Sequence, residues 1–347
     1  MFLHALATAV PPTQLTQTEC WERIARWPGK SQLSRRALLT LQAVLTRDRS
    51  IATRHFAHAN PEDVMSFNPD ELNDYFRTAA PSLAVAALQP ALERAGITAR
   101  ALDALLVCTC TGYLCPGVTS YVSEQLGLRR DAFLQDLVGL GCGAAIPTLR
   151  AASAILAENP RAIVATVAVE VCSAAFYLDD DPGVLISACL FADGAAAAIW
   201  RGTPGDPALR CRDFSTVCIP GERDKLRFEQ RHGRLRNLLD PLVPQLAGNA
   251  VGELYAAELL RENSRPLREI VAHPGGREVL DALDAVLPDF SLTPSREVLR
   301  HYGNLSSPSV LFALDEALRG GAPDESGDWW LVSFGAGFSA HACRFGV

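Results

Sequence analysis

Cys142 is the residue whose setting first indicates nucleophilic chemistry. It lies between two glycines in LVGLGCGAAIP, at a predicted turn from a strand into a small-residue-rich helix. Glycine lets a substrate approach the backbone closely. A helix N-terminus favours a thiolate and offers N–H groups to a developing oxyanion. The segment therefore predicts a reactive thiol, although a structural cysteine buried at a tight turn fits the same residues.

His273 and Asn304 are the side chains expected to assist such a thiol. His273 ends the apolar strand in LREIVAHPGGREVLDAL, where a neutral imidazole can pair with the thiolate and donate to a substrate carbonyl. Asn304, in HYGNLSSPSVLFALDEA, can supply a second neutral donor or act only as a helix N-cap. The order Cys, His, Asn also fits papain-like hydrolases, whose signature around the nucleophile does not surround Cys142. Spacing alone therefore leaves the reaction open.

The elements that must position these residues alternate between strands and helices. LDALLVCTC and RAIVATVAVE are typical of buried strands and TSYVSEQLG of a helix, an alternation that indicates α/β layers. The same order of elements occurs around Cys142 and again around Asn304. We therefore predict a duplicated α/β unit, divided within RGTPGDPALR into residues 1–205 and 206–347. In such a duplication, Cys142 and Asn304 occupy equivalent helix N-termini that face each other across a pseudo-two-fold axis.

Composition excludes several classes of protein. The chain has 347 residues, of which 48% are hydrophobic, and a net charge of −7, which argues against a nucleic-acid-binding surface. No apolar run approaches the roughly 20 residues that span a bilayer, and MFLHALATAVPPTQ lacks the features of a signal peptide. The ten cysteines form no CxxC pair, so no zinc or redox motif is expected. We expect a cytoplasmic protein with reduced thiols, no nucleic-acid partner and no membrane span.

Three segments resemble the chalcone and stilbene synthases, the type III polyketide synthases of the thiolase superfamily: GLGCGAAIPTLRAA, AHPGGREVLDAL and YGNLSSPSVLFALDEA. Weaker similarity covers SIATRHF, TCTGYLCPG, LFADGAAAAI and SFGAGFSA. The HPGG sequence differs from the His-Gln-Ala-Asn motif of the ketoacyl synthase that starts fatty-acid synthesis. The resemblance implies a thiolase-like duplicated α/β fold, layered αβαβα, and a homodimer in which Cys115 lies close to the partner's cavity.

The resemblance also implies a reaction. An acyltransferase of this family loads an acyl-CoA starter onto Cys142, releases CO₂ from malonyl-CoA, and stabilises the enolate with His273 and Asn304. Each such donor is worth about 3–4 kcal/mol in a water-poor site. CoA thioesters are the expected substrates, with no metal or other cofactor. Two alternatives stay open: a ketosynthase of the same superfamily that performs one condensation between two acyl chains, and a non-catalytic partner subunit.

The resemblance finally implies residues of the substrate cavity. Phe191 takes the place of an aromatic gatekeeper between the CoA tunnel and the cavity, although a core aromatic beside a strand is the alternative. Arg236 replaces a second gatekeeper, usually Phe. Because a buried guanidinium needs an anion, we expect it to meet a CoA phosphate at the tunnel mouth, ahead of a carboxylate of the protein or of the acyl chain. The expected phosphate-binding residues are Arg47 and Arg49. The other expected substrate-binding residues are Cys110, Cys115, Ala175, Gly275, Ser306, Gly335 and Gly337.

Overall fold

The computed structural model describes residues 1–262 and 264–347. The helices are α1 (Gln17–Arg26), α2 (Arg35–Arg47), α3 (Pro61–Val64), α4 (Pro69–Arg94), α5 (Val118–Leu126), α6 (Ala145–Glu158), α7 (Pro182–Leu190), α8 (Val243–Leu259), α9 (Arg277–Val286), α10 (Thr293–Tyr302) and α11 (Ser309–Gly320). The strands are β1 (Phe2–Ala9), β2 (Thr13–Thr16), β3 (Thr53–Phe56), β4 (Ala104–Cys108), β5 (Phe133–Leu137), β6 (Ile163–Glu170), β7 (Gly194–Arg201), β8 (Arg210–Cys218), β9 (Leu226–Arg231), β10 (Arg234–Leu239), β11 (Leu267–Ala272), β12 (Asp328–Gly335) and β13 (Ser339–Gly346).

The main sheet contains nine strands in the order β11-β12-β13-β8-β1-β7-β6-β4-β5. The two halves meet where β1 pairs with β8 through one residue pair, Phe2 and Arg210. Within the first half β4 is parallel to β6, and β6 is antiparallel to β7. Within the second half β11 is parallel to β12, and β12 is antiparallel to β13. The strand directions therefore repeat, while the exact division into residues 1–205 and 206–347 stays a prediction.

Alternation along the buried strands places helices on both faces of each half. In β4, Leu105 and Val107 pack with α4 and α5, whereas Leu106 and Cys108 pack with α6 and α11. In β12, Trp330 likewise faces the cluster formed with α8 and α9, on the far side of the second half. Outer helices, strands, central helices, strands and outer helices thus form the αβαβα layers of a thiolase-like fold. The central helices α6 and α11 follow the segments that carry Cys142 and Asn304.

Two predicted helix starts are corrected by the structure. Cys142 lies in a 3-10 turn over Gly141–Gly143, and α6 begins only at Ala145. Asn304 pairs with Phe191 as an isolated parallel bridge, and α11 begins only at Ser309, so Asn304 is not its N-cap. Both residues lie in connections before the helices, where side chains are free to face a cavity. Among the described residues, no helix is long and apolar enough to cross a membrane.

Candidate active site

The loop that carries Cys142 packs tightly against the end of β12. Gly141 has a φ of +56°, which favours glycine, and a Cβ there would make a tight contact of 3.0 Å with the backbone nitrogen of Ala336. A Cβ on Gly335 would lie 2.4 Å from the backbone nitrogen of Gly143. The glycines of GCG and of SFGAG therefore let two backbones from opposite halves meet directly behind the thiol.

Burial favours the neutral thiol form of Cys142. Its side chain is 8% exposed, and burial raises the pKa of the thiol to about 12, with the Glu170 charge adding to the rise. The hydroxyl of Ser306 lies 3.3 Å from Sγ and opposes this rise in pKa. Burial therefore opposes the expected thiolate in the unliganded protein, and that expectation stays a prediction. A proton acceptor is needed when the sulfur attacks.

His273 directly follows β11 and is 1% exposed. Neither ring nitrogen has a hydrogen-bond partner among the described residues, and burial lowers the pKa of the imidazole to about 3, which keeps the ring neutral. Its ring packs edge-on against Phe334, with centroids 5.1 Å apart. Buried polar groups without partners are rare. The imidazole is thus a fixed, neutral group whose hydrogen-bonding capacity is left for a ligand.

Asn304 is held in one orientation by two hydrogen bonds. Its Nδ2 donates to the carbonyl oxygen of Gly275 at 3.1 Å, and its Oδ1 accepts from the backbone N–H of Ser306 at 2.8 Å. The amide nitrogen carries two N–H groups, so one stays available. Gly275 lies two residues after His273, which ties the amide to the segment that carries the imidazole.

Two cavities meet at Cys142. The larger, with about 1200 Å³ of empty space partly open to solvent, is lined by Cys142, His273 and Asn304 together. The smaller has about 490 Å³ of empty space and is also lined by Cys142. Phe191 and Leu226 belong to both walls. The three residues that the sequence singled out therefore share one cavity, and Phe191 lies at the junction with the second.

Four of the remaining predicted cavity residues line one of the two walls, and five line neither. Cys110, Ala175 and Ser306 line the smaller cavity, and Gly275 lines the larger. Within the described residues, Cys115, Gly335 and Gly337 line neither cavity; Ala336, between the two glycines, lines the smaller one. Arg47 and Arg49 are exposed and also lie outside both walls, whereas Asp48 between them lines the larger cavity.

Arg236 corrects the expected contact with a CoA phosphate. Its buried guanidinium is paired with three carboxylates of the protein, those of Asp179 at 2.8 Å, Glu229 at 3.0 Å and Asp181 at 3.2 Å. The next residue of β10, Asn237, lines the smaller cavity instead. Because side chains of a strand alternate between its faces, Arg236 points away from that cavity. A protein carboxylate, the lower-ranked alternative, is the anion that it meets.

Glu170 is a residue of the site that the sequence reasoning missed. It ends β6, is fully buried, and burial raises the pKa of its carboxyl. Its carboxylate accepts hydrogen bonds from backbone or side-chain groups of Thr109, Cys110, Thr111, Ser306 and Ser307. The hydroxyl of Ser306 connects Glu170 to Cys142, because it lies within hydrogen-bonding distance of both side chains. A lone acid closing the apolar run RAIVATVAVE was the signal that could have identified it.

Arg54 was also missed, although it lies in the SIATRHF segment. The guanidinium is 2% exposed and donates to the carbonyl oxygens of Ala188 at 2.7 Å and Phe191 at 2.8 Å. Its Nε donates to Gln17 at 2.9 Å. These contacts satisfy the last carbonyls of α7 and fix the backbone of the residue at the cavity junction. A buried arginine in a short strand has no signature in the sequence.

Comparison with known proteins agrees with this geometry. Residues 32–206 match the family model described as FAE1/type III polyketide synthase-like protein, and residues 234–343 match the C-terminal domain of chalcone and stilbene synthases. The 1,3,6,8-tetrahydroxynaphthalene synthase of Streptomyces peucetius subsp. caesius is 31% identical over 97% of this chain and 90% of its own. The 3,5-dihydroxyphenylacetyl-CoA synthase of Amycolatopsis balhimycina is 30% identical over 77% of this chain and 74% of its own. The crystal structure of 1,3,6,8-tetrahydroxynaphthalene synthase from Streptomyces coelicolor A3(2) superimposes with a TM-score of 0.87, at 26% identity and 99% coverage of both chains.

Proposed function

The chain belongs to the chalcone and stilbene synthase family of type III polyketide synthases, and on this basis we propose how its residues condense malonyl-CoA with a CoA-linked starter. The chain is an enzyme of the acyl-transferring class. The roles of Cys142, His273 and Asn304 within that activity are our proposal. The observation that carries it is the shared cavity, in which a buried imidazole without hydrogen-bond partners accompanies a thiol and a fixed amide.

Starter loading begins with Cys142. Its sulfur attacks the carbonyl carbon of the starter thioester while the thiol proton passes to His273, the neutral base in the same cavity. The new carbon–sulfur bond forms as the bond to CoA breaks, and the protonated imidazole returns its proton to the departing CoA thiolate. The proton moves only as the sulfur attacks, because a thiol of raised pKa and an imidazole of lowered pKa do not exchange a proton at rest.

Malonyl-CoA then provides the nucleophilic carbon. The bond to its carboxylate breaks, CO₂ leaves, and the electron pair becomes an enolate whose oxygen accepts hydrogen bonds from His273 and from the available N–H of Asn304. The enolate carbon attacks the thioester on Cys142, forms the carbon–carbon bond and releases the sulfur as a thiolate, which takes up a proton from water to restore the thiol. The extended chain is left on CoA. The steps balance with CoA thioesters alone and need no metal or redox group.

Phe191 is proposed as the residue that separates the two cavities. It lines both walls together with Cys142, and its backbone is held by Arg54. The larger cavity then admits the CoA arm, and the smaller one holds the acyl chain on Cys142. Phe191 therefore sets the width of the passage that a growing chain must use.

A homodimer is proposed through the edge strand β5. Large apolar side chains are exposed along this edge at Phe133 and Val138, and at Tyr113 in the neighbouring segment that also carries Cys115. Long apolar edges of a sheet tend to be covered in soluble proteins. A second copy paired along β5 covers them and brings Cys115 towards the partner, as the resemblance implies. The cytoplasmic location stays a prediction.

Peptide mass spectrometry of the acylated protein tests the proposal. The chain is incubated with a panel of acyl-CoA starters, digested, and the mass added by the acyl group is mapped to a peptide, while CO₂ release from malonyl-CoA is measured in parallel. We expect acylation at Cys142 and a product longer than the starter by condensed malonyl units. An unacylated protein that releases no CO₂ would contradict the proposed roles.

A further inference from the structure

Two polar side chains in the wall of the smaller cavity have no hydrogen-bond partner. Ser187 lies in α7 and Asn237 in β10, and both line the cavity that Cys142 also lines. They are 5% and 8% exposed, and neither side chain makes a hydrogen bond within the part of the chain that the structure describes. Buried polar groups without partners are rare and costly. The hydroxyl and the amide are therefore available to a molecule that fills the cavity.

The packing of α7 on β10 determines where these two side chains lie. A Cβ on Gly183 of α7 would lie 2.2 Å from the carbonyl oxygen of Leu239 in β10, so the helix and the strand are in direct contact. Ser187 follows Gly183 by four residues and shares its face of the helix. Asn237 precedes Leu239 by two residues and shares its face of the strand. The contact that begins in the wall of the larger cavity therefore continues to Ser187 and Asn237 in the wall of the smaller one.

The other hydroxyls and the charged group of this wall, among the described residues, are already paired. The hydroxyls of Thr111 and Ser306 donate to Glu170 at 2.9 Å and 3.4 Å. The guanidinium of Arg227 is paired with two carboxylates, at 3.0 Å and 3.2 Å. The charge of Arg227 is thus compensated, and the unpaired groups of the wall are neutral. They suit the oxygen of a ketone better than that of a carboxylate.

A chain that fills this cavity displaces water from the amide and the hydroxyl. The apolar part of the wall includes Phe176, Phe191, Leu226 and Phe228. A chain extended by a malonyl unit carries a ketone oxygen, which accepts hydrogen bonds. A hydrocarbon chain of the same length offers no such oxygen and leaves Ser187 and Asn237 buried without partners. A site built to hydrogen-bond a substrate group discriminates against the analogue that lacks the group.

We propose that Asn237 and Ser187 donate hydrogen bonds to a ketone oxygen of the growing chain on Cys142. The proposal rests on the proposed function, because it concerns the same acyl chain. After each condensation the extended chain is left on CoA as a 3-oxoacyl thioester, which must load onto Cys142 again before the next extension. The two side chains favour this second loading over that of a plain acyl chain. They therefore promote further extension of a chain that has already been extended.

Acyl loading in the absence of malonyl-CoA tests the assignment. Hexanoyl-CoA and 3-oxohexanoyl-CoA have the same chain length and differ by one ketone. We expect the unaltered enzyme to be acylated at Cys142 about tenfold faster by the 3-oxo thioester at low substrate concentration, as measured by peptide mass spectrometry over time. In Asn237→Leu this ratio should fall to about one, because leucine has a similar volume and no hydrogen-bonding group. Loading of hexanoyl-CoA itself should rise, since the chain no longer covers an unpaired amide.

Product length provides the second measurement. With hexanoyl-CoA as starter and malonyl-CoA present, the Asn237→Leu variant should release products with fewer malonyl units, because the extended chain loads again more slowly. Ser187→Ala should have a smaller effect in the same direction, since the amide remains. A reduced loading ratio with unchanged product length would mean that the recognised oxygen belongs to the starter, which would overturn the assignment to the growing chain.

Asn249→Leu is the matched control, since Asn249 is exposed on α8 and the substitution is the same. It should change neither the loading ratio nor the product length. Equal loading of the two thioesters by the unaltered enzyme, or a preference that persists in Asn237→Leu, would refute the role of Asn237 alone. If neither thioester acylates Cys142, the proposed function itself fails.

Discussion

Backbone hydrogen bonds link the segment that carries Phe191 to Asn304. The N–H of Asn304 donates to the carbonyl of Leu190 at 2.9 Å, and the N–H of Ala192 donates to the carbonyl of Asn304 at 2.9 Å. The aromatic ring at the cavity junction and the amide beside His273 therefore belong to one rigid pair of segments, although they lie in different halves of the chain.

Arg54 supports this pair, which leads to a prediction about stability. Arg54→Met removes the donors to Ala188 and Phe191 and leaves buried carbonyl oxygens without partners. We expect the free energy of unfolding to fall by about 3 kcal/mol, as for other breaks of a buried polar network. Urea denaturation measures it. Arg35→Met, which alters an exposed arginine of α2, is the control, and equal stability of the two variants would contradict the supporting role of Arg54.

Replacement of the nucleophile should separate folding from acyl loading. Cys142→Ala should abolish loading and product formation while the far-UV circular dichroism spectrum stays the same, because alanine fits a small buried site. Cys172→Ala, in the wall of the same smaller cavity, should still be acylated. Peptide mapping checks both variants. An acyl group found on Cys108, Cys110 or Cys172 of the unaltered enzyme would reject Cys142 as the acceptor.

The proposed oxyanion donors should affect decarboxylation most. His273→Ala and Asn304→Ala should each lower CO₂ release from malonyl-CoA by about 100- to 1000-fold, the loss typical of one oxyanion donor. Starter loading should survive better in the Asn304 variant, since His273 alone is assigned the thiol proton. Radiolabelled malonyl-CoA measures the first effect and mass spectrometry the second. CO₂ release at the normal rate in both variants would remove these residues from the mechanism.

The ionisation of Cys142 predicts how alkylation depends on pH. With a thiol pKa raised to about 12 by burial, the thiolate is a minor species at neutral pH. The rate of iodoacetamide alkylation in the absence of substrate should therefore increase about tenfold per pH unit from pH 7 to 10, without a plateau. Ser306→Ala should slow the reaction further, because the hydroxyl lowers that pKa. A plateau already reached below pH 7 would mean that His273 holds the sulfur as a thiolate.

The edge strand β5 predicts the oligomeric state. Light scattering should report a dimer at micromolar concentration, and Val138→Lys should shift it towards the monomer, because the exposed valine becomes a charge inside the contact. Leu260→Lys, at an apolar side chain that is 82% exposed near the end of α8, is the matched control and should leave the dimer intact. A stable monomer of the unaltered chain would refute this interface.

Local patterns in the sequence were sufficient to predict the layers of the fold and to identify the family. The buried apolar runs LDALLVCTC and RAIVATVAVE predicted β4 and β6, both of which are confirmed. The glycine-flanked Cys142, the strand-end His273 and the resemblance of three segments identified the same family as the comparisons. These features can be predicted from the sequence because they depend on hydrophobic patterns and turn residues that lie close together in the chain.

Long-range contacts of polar side chains depended on the tertiary structure. The anions around Arg236, the donors around Glu170 and the carbonyls held by Arg54 come from segments far apart in sequence, and no local pattern specifies them. The effect of burial on the pKa of Cys142 also depends on the tertiary structure. A glycine turn before a helix predicts a reactive thiolate, but the pKa of the thiol is set by how completely distant segments exclude water from it, and only the folded chain determines that.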